Sequence, residues 1–140
     1  MSRDPADYLP RRDLAEFIAA RLNEDQYLVS GFAFTGDTEW DAEMLGRLFW
    51  YGDGSAPKSR PADDPVIRHL ARHDAARVLR EIEAGRMILA RYEDTLARQE
   101  DDNYPAGVAQ NQAREYEDFV LPNLAAAWNN HPDYRPEWKP

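Results

Sequence analysis

The chain has no cysteine, which excludes disulfides and thiolate metal sites and fits a cytoplasmic location. No apolar run approaches the roughly 18 residues that a membrane-spanning helix needs, so no membrane contact is expected. Met1–Pro10 is polar and has none of the apolar stretch of a secretion signal. Positive charge is also in deficit: 17 Lys and Arg stand against 26 Asp and Glu, a net charge of −9. Nucleic-acid affinity comes largely from Lys and Arg neutralising phosphates, so no nucleic-acid partner is expected. The acidic balance serves solubility first, and a basic partner or mimicry of nucleic acid second. Ser30, Ser55 and Ser59 stand outside any Gly-x-Ser-x-Gly elbow. Gly52-x-Gly54 follows a helical pattern rather than a strand, so no phosphate loop is present. There is no internal repeat and no low-complexity tract. No catalytic residue and no cofactor is expected, and a non-enzymatic protein is favoured.

What is present is helical periodicity. Ala71, Ala75, Val78, Ile82, Gly85, Leu89, Tyr92 and Leu96 recur at alternating spacings of four and three, with Leu79, Ile88 and Thr95 beside them. That pattern places them in one stripe of a helix. Arg77, Arg80, Glu81, Glu83, Arg86, Arg91, Glu93 and Asp94 fill the other face, so the arginines that alternate along this region are matched by Glu and Asp. Pairs such as Arg77–Glu81 contribute only about 0.2–0.5 kcal/mol each, so the helix depends on burying its stripe against the rest of the chain. At 140 residues the chain reads as a single helical domain, which at this size buries about 68–70% of its unfolded surface.

In order, Met1–Arg12 is a loose lead-in, and Asp13 caps a first helix over 14–30 through Leu14, Phe17, Ile18, Leu22 and Leu28 or Val29, with Gly31 as its stop. A small extended pair near 31–38 is allowed. Asp37 or Thr38 caps a shorter helix carrying Trp40, Met44, Leu45, Leu48 and Phe49. Residues 52–64 are a flexible loop of turn formers. Asp64-Pro65 is an N-cap followed by proline at the first helical position, and Asp74 is a second cap, so a break is expected at His73–Asp74. The long central helix then covers about 74–98. A last helical pattern runs through Val108, Ala109, Tyr116, Phe119, Val120, Leu124, Ala127 and Trp128, and Pro122 should kink it near Leu121. Residues 129–140, with Pro132, Pro136 and Pro140 alternating with Tyr134 and Trp138, form an extended aromatic tail lying in grooves between helices. The fold class is mostly α, a bundle-like arrangement of three or four helices around the central one.

Three blocks carry a family resemblance. They are the central run from Arg68 through His69, His73-Asp74 and Ala76-Arg77-Val78-Leu79 to Leu89, the N-terminal run Asp13–Asp25, and the C-terminal run His131-Pro-Asp-Tyr-Arg-x-Glu-Trp-Lys-Pro140. The sequence resembles a family of small actinobacterial and actinophage proteins known only as a domain of unknown function. The chain departs from the usual pattern at Ala75 for proline, Gly85 for lysine and Pro136 for glutamate. The resemblance implies a shared helical fold and no activity. A proline at 75 in relatives suits the first turn after an Asp74 cap, and a lysine at 85 implies that Gly85 lies at the edge of the stripe.

Candidate sites follow. His69-x-x-x-His73 puts two imidazoles at the spacing used by zinc-binding helices, and Glu24 and Asp25, or Asp74 and His131, could complete a metal site, although a helix break at residue 73 would separate the two rings. A satisfied pair at a helix junction is the plainer reading of those histidines. His73, Asp74 and Arg77 of the junction, with His131, Asp133, Tyr134 and Trp138 of the tail, are candidate binding residues, and Asp133 could pair with Arg77 or Arg86. The acid runs Asp63–Asp64, Glu100–Asp102 and Glu117–Asp118 read as solvated faces. Two functions are carried. One is a small protein-binding or adaptor protein, phage- or mobile-element-associated, with an unidentified protein partner. The other is a metal-dependent hydrolase or small-ligand protein using His69, His73 and nearby acids.

Overall fold

The stripe that periodicity places on one helix face is buried as a stripe. Ala75, Ile82, Gly85, Tyr92, Thr95 and Leu96 are buried, Val78 and Leu89 half-buried, and Arg80, Glu81, Glu83, Arg91, Glu93 and Asp94 exposed. The computed structural model describes residues 9–33, 50–51, 58–59 and 64–140, with backbone alone at 31–33 and in the two strands. Helix α1 spans Arg12–Ala33, β1 Trp50–Tyr51, β2 Lys58–Ser59, α2 Pro65–Arg72, α3 Ala75–Gln99, α4 Ala106–Glu115 and α5 Leu121–Ala125. The described residues are mostly α. The chain forms two compact units, Met1–Asn23 with Ala84–Pro140, and Glu24–Glu83, and the division falls inside α1 and α3.

Both caps around α2 are made. Asp64 Oδ1 accepts from the Val66 N–H at 2.9 Å ahead of Pro65, and Asp74 Oδ1 accepts from the Arg77 N–H at 2.9 Å. Each satisfies a donor that the start of a helix leaves open. The break expected at His73–Asp74 therefore separates α2 from α3, with His73 closing α2 by donating to the carbonyls of His69 and Leu70.

Several local expectations are corrected. Helix α1 begins at Arg12, so Asp13 is inside the first turn rather than the cap, and its Oδ2 takes the Arg135 guanidinium at 3.1 Å. The same helix continues past Gly31 to Ala33, so 31–33 are helical and not part of an extended pair. An antiparallel pair lies instead at β1–β2, where Trp50 pairs with Ser59 and Tyr51 with Lys58, β1 just ahead of the segment expected to be loop and β2 inside it. The helix expected over 38–49, residues 34–38 and most of 52–64 lie outside the described residues.

The first unit buries Leu14, Phe17, Ile18 and Leu22 of α1, Tyr92 and Leu96 of α3, Ala109 and Ala113 of α4, Leu121 and Ala125 of α5, and Trp138. Gly85 is buried too, and a Cβ added there would come within 3.1 Å of both Leu22 methyls. It marks a close crossing of α1 and α3 rather than the edge of the stripe, since any side chain there would require Leu22 to give way by a few tenths of an ångström.

Pro122 breaks the last helical run as expected, and the form of the break is informative. Between α4 and α5 the chain takes one wide π turn, Tyr116–Val120, in which the Leu121 N–H reaches back to the Tyr116 carbonyl. Widening the turn relieves the clash between a proline ring and the carbonyl four residues earlier. It leaves the Glu117 carbonyl without a helical donor, because Leu121 is committed to Tyr116 and Pro122 has no N–H. The Arg11 guanidinium supplies the donor instead, at 3.1 Å. After Ala125 the chain continues through a 3₁₀ turn, Ala126–Trp128, and ends in another at Pro136–Trp138. The tail is thus a series of turns and not a fully extended strand, since proline at the first position of a 3₁₀ turn needs no N–H.

Candidate functional site

Two places in the described residues concentrate polar chemistry. They belong to different units and are built in opposite ways.

The first is the α2–α3 joint. Arg68 and Arg72 are one turn apart on α2, as are His69 and His73, so the four side chains share one side of the helix. With Pro65 and Arg77 they line an open depression of about 500 Å³. The imidazoles of His69 and His73 stack with centroids 4.3 Å apart and planes tilted by 33°. The end of α2 at residue 73 therefore does not separate the rings. His73 Nδ1 lies 2.9 Å from the His69 carbonyl. A carbonyl only accepts, so Nδ1 is the donor there. Arg77 ties the joint together: its Nε donates to Glu81 at 2.8 Å and its Nη1 to the Arg72 carbonyl at 3.3 Å. The carboxylates of Asp64, Asp74 and Glu81 stand on this segment, but none lines the depression.

Sequence reading singled out His73, Asp74 and Arg77 here and passed over Arg68 and Arg72. It held that the arginines of this region are matched by acids. That is true of α3 and not of α2, whose sequence Pro-Val-Ile-Arg-His-Leu-Ala-Arg contains no carboxylate. The missing acid was the available signal. Among the described residues no hydrogen bond or ion pair engages the Arg68 or Arg72 guanidinium, and both side chains are exposed.

The proposed metal set does not assemble as a group. Glu24 and Asp25 lie on α1, each with interactions of its own. Among the described residues no group of three or more His, Asp or Glu side chains is placed to hold a metal ion.

The second place is buried in the first unit. Glu117, in the π turn, is 3% exposed, and Tyr92 is fully buried. The Tyr92 hydroxyl donates to Glu117 Oε2 at 2.5 Å, and the Arg11 N–H points at the same oxygen from 2.9 Å and at the Tyr92 oxygen from 3.1 Å. Thr95 donates to the Tyr92 carbonyl at 2.6 Å. Glu117 is therefore not on a solvated face, as its acidic neighbourhood suggested. A buried carboxylate persists where donors converge on it, and here they come from the start of α1 and from α3.

The tail residues gather around Phe17 of α1. His131, Tyr134 and Trp138 put their ring centroids 5.8, 5.9 and 5.0 Å from the Phe17 centroid. Arg135 bridges to Asp13 and lies 5.2 Å over the Trp138 ring. The arginine that ties the tail down is thus its own Arg135 on Asp13. Asp133 turns back on its neighbour, its N–H donating to His131 Nδ1 at 3.0 Å. That nitrogen acts as an acceptor, so the Asp133 carboxylate 4.0 Å from it forms no ion pair there in this tautomer. Trp138 is 4% exposed. These contacts are those of an anchor.

The arrangement spans the segments that carried the family resemblance. The chain belongs to DUF6221, a family of unknown function, whose sequence pattern matches residues 11–140. No curated protein and no solved structure matches the chain significantly. The DUF6221 match takes in the joint, the buried network and the tail together, and it assigns no chemistry to any of them. No helix among the described residues is long and apolar enough to cross a membrane.

Proposed function

We propose that this DUF6221 protein is a small non-enzymatic binding protein that meets a protein partner through the α2–α3 joint. The observation that carries this reading is the cationic depression lined by Arg68, His69, Arg72, His73 and Arg77, in a chain whose net charge is −9. A local reversal of sign on an acidic surface gives a partner a complementary place to dock and a direction of approach. The tail residues Tyr134 and Trp138 serve as an anchor in this reading, and Asp74 and Arg77 hold the joint in shape. An origin among actinobacteria or their phages is implied by the motif resemblance alone.

The test is a comparative capture from lysate with the wild-type chain and with the Arg68→Ala/Arg72→Ala variant. A partner retained by the first and lost by the second supports the reading. Identical sets of captured proteins for both chains would count against the joint as the contact face. The alternative, a metal-dependent hydrolase or small-ligand protein through His69 and His73, has one supporting observation. A histidine that donates Nδ1–H to a backbone carbonyl, as His73 does, is oriented as metal-binding histidines are. A zinc or manganese titration that returns no stoichiometric binding would remove it.

A further inference from the structure

Three guanidinium groups and two imidazoles line one depression, and among the described residues no carboxylate lines it. Of the three arginines, Arg77 is already held by Glu81 and by the Arg72 carbonyl, so it supplies charge and a fixed wall. Arg68 and Arg72 carry no such engagement among the described residues, and each presents a planar fork of N–H donors. Two forks one helical turn apart, beside a stacked imidazole pair, form a set of donors with no acceptor among the described residues. The acceptor they fit is an oxyanion. A carboxylate has one charge and two oxygens, which a single arginine fork satisfies. A phosphoryl group has close to two charges and three terminal oxygens, which is what two forks and a neighbouring charge can engage together. Recognition of such groups by clustered arginines is a recurring mode of peptide binding. The volume of about 500 Å³ admits one such group with its neighbouring residues, within the range usual for ligand sites. The negative net charge of the chain opposes a long polyanion laid across its surface.

We infer that the α2–α3 joint is an oxyanion site that takes a phosphoryl group displayed on a partner's polypeptide segment, with Arg68 and Arg72 as the gripping residues. The inference rests on the binding-protein reading above and names the chemistry of the partner. Nothing in it requires a covalent step.

The experiment is a nuclear magnetic resonance titration of the full isotope-labelled chain with four probes: inorganic phosphate, a phosphoserine peptide with neutral flanks, its unphosphorylated twin, and a short single-stranded DNA oligonucleotide. The phosphopeptide should produce saturable shifts at the Arg68 and Arg72 side-chain N–H groups and at the His69 and His73 rings. Inorganic phosphate should move the same signals with weaker affinity, and the unphosphorylated peptide should not saturate. Arg68→Ala/Arg72→Ala should weaken phosphopeptide binding by about tenfold or more, the scale of losing charge-assisted hydrogen bonds, with the rest of the amide spectrum unchanged. If that double variant does not fold, Arg72→Gln is read in its place and should show a smaller loss of the same kind. No saturable shift with phosphate or phosphopeptide would overturn the inference, as would equal affinity in the variant. Tighter binding of the oligonucleotide than of the phosphopeptide would assign the site to nucleic acid and overturn it as well. Failure of the phosphopeptide, with a lysate partner still lost in the double variant, would sink the phosphoryl assignment and leave the binding reading standing. Phosphopeptide binding with no partner captured by the wild-type chain would do the reverse.

Discussion

The buried network of Arg11, Tyr92 and Glu117 and the open joint around Arg68 and Arg72 use the same kinds of group to opposite ends. In the network every polar atom named above meets a partner within the first unit. Tyr92 and Arg11 converge on Glu117 Oε2, and Arg11 also covers the Glu117 carbonyl that the π turn leaves open. In the joint the charges face solvent, and the two arginines of α2 have no partner among the described residues. Burial raises the cost of an unmet hydrogen bond, so a buried charged group must be completed by the chain itself. An exposed one can wait for a ligand. The difference separates architecture from recognition without any appeal to activity.

If the first unit is architectural, breaking it should cost stability. The largest effect is expected from Trp138→Ala, which removes the ring seated on Phe17 and should destabilise the protein by about 3–5 kcal/mol, the range for emptying a large aromatic site. Urea unfolding measures it, and a midpoint unchanged from wild type would show that the tail is not an anchor. Removal of 131–140 should act in the same direction. Next comes Glu117→Leu, which leaves the buried Tyr92 hydroxyl without its acceptor and the Arg11 N–H with the Tyr92 oxygen alone. A loss of about 1–3 kcal/mol is expected, the cost of one buried group left unmet. Glu117→Gln keeps an acceptor oxygen and should recover part of it. Equal stability for Leu and Gln at this position would mean that the network is packing rather than hydrogen bonding.

A third, smaller effect tests the corrected place of Gly85. Gly85→Lys puts a Cβ at 3.1 Å from the Leu22 methyls, and Leu22 is only 4% exposed, so it has little room to yield. Overpacking of this kind costs about 1–3 kcal/mol, against roughly 1 kcal/mol gained from leaving glycine in a helix. A net loss in thermal unfolding is expected. A gain would restore Gly85 to the edge of the stripe, where the lysine of the family pattern first placed it.

What the sequence disclosed and what it hid divide along the same line. The central stripe was legible because burial in a helix has a period, and the α2–α3 break because Asp64-Pro65 and Asp74 are local caps. Pro122 announced a break, but not that a π turn would answer it. Glu117 was misread because its burial depends on Arg11, 106 residues away, and Tyr92, 25 residues away, and no local pattern reports such partners. Gly85 was misjudged for the same reason, since its neighbour is Leu22 of another helix. Asp13 looked like a cap because its role is set by Arg135 at the far end of the chain. Arg68 and Arg72 differ: the lack of any acid within α2 itself is a local fact, visible in its sequence, and was obscured only by the better-matched arginines that follow.

The smallest expected effect is the one that sharpens the contrast most. Exposed side chains away from caps and cores change stability by no more than about 0.5 kcal/mol when replaced. Arg68 and Arg72 are exposed, outside both caps of α2, and free of the contacts that Arg77 makes. Arg68→Ala/Arg72→Ala should therefore unfold at the same urea concentration as wild type to within that margin, while Arg77→Ala, which loses its bonds to Glu81 and to the Arg72 carbonyl, should fall measurably below it. A double variant as destabilised as Arg77→Ala would mean that the two guanidinium groups hold the joint together, and the distinction between a finished network and a waiting one would not survive.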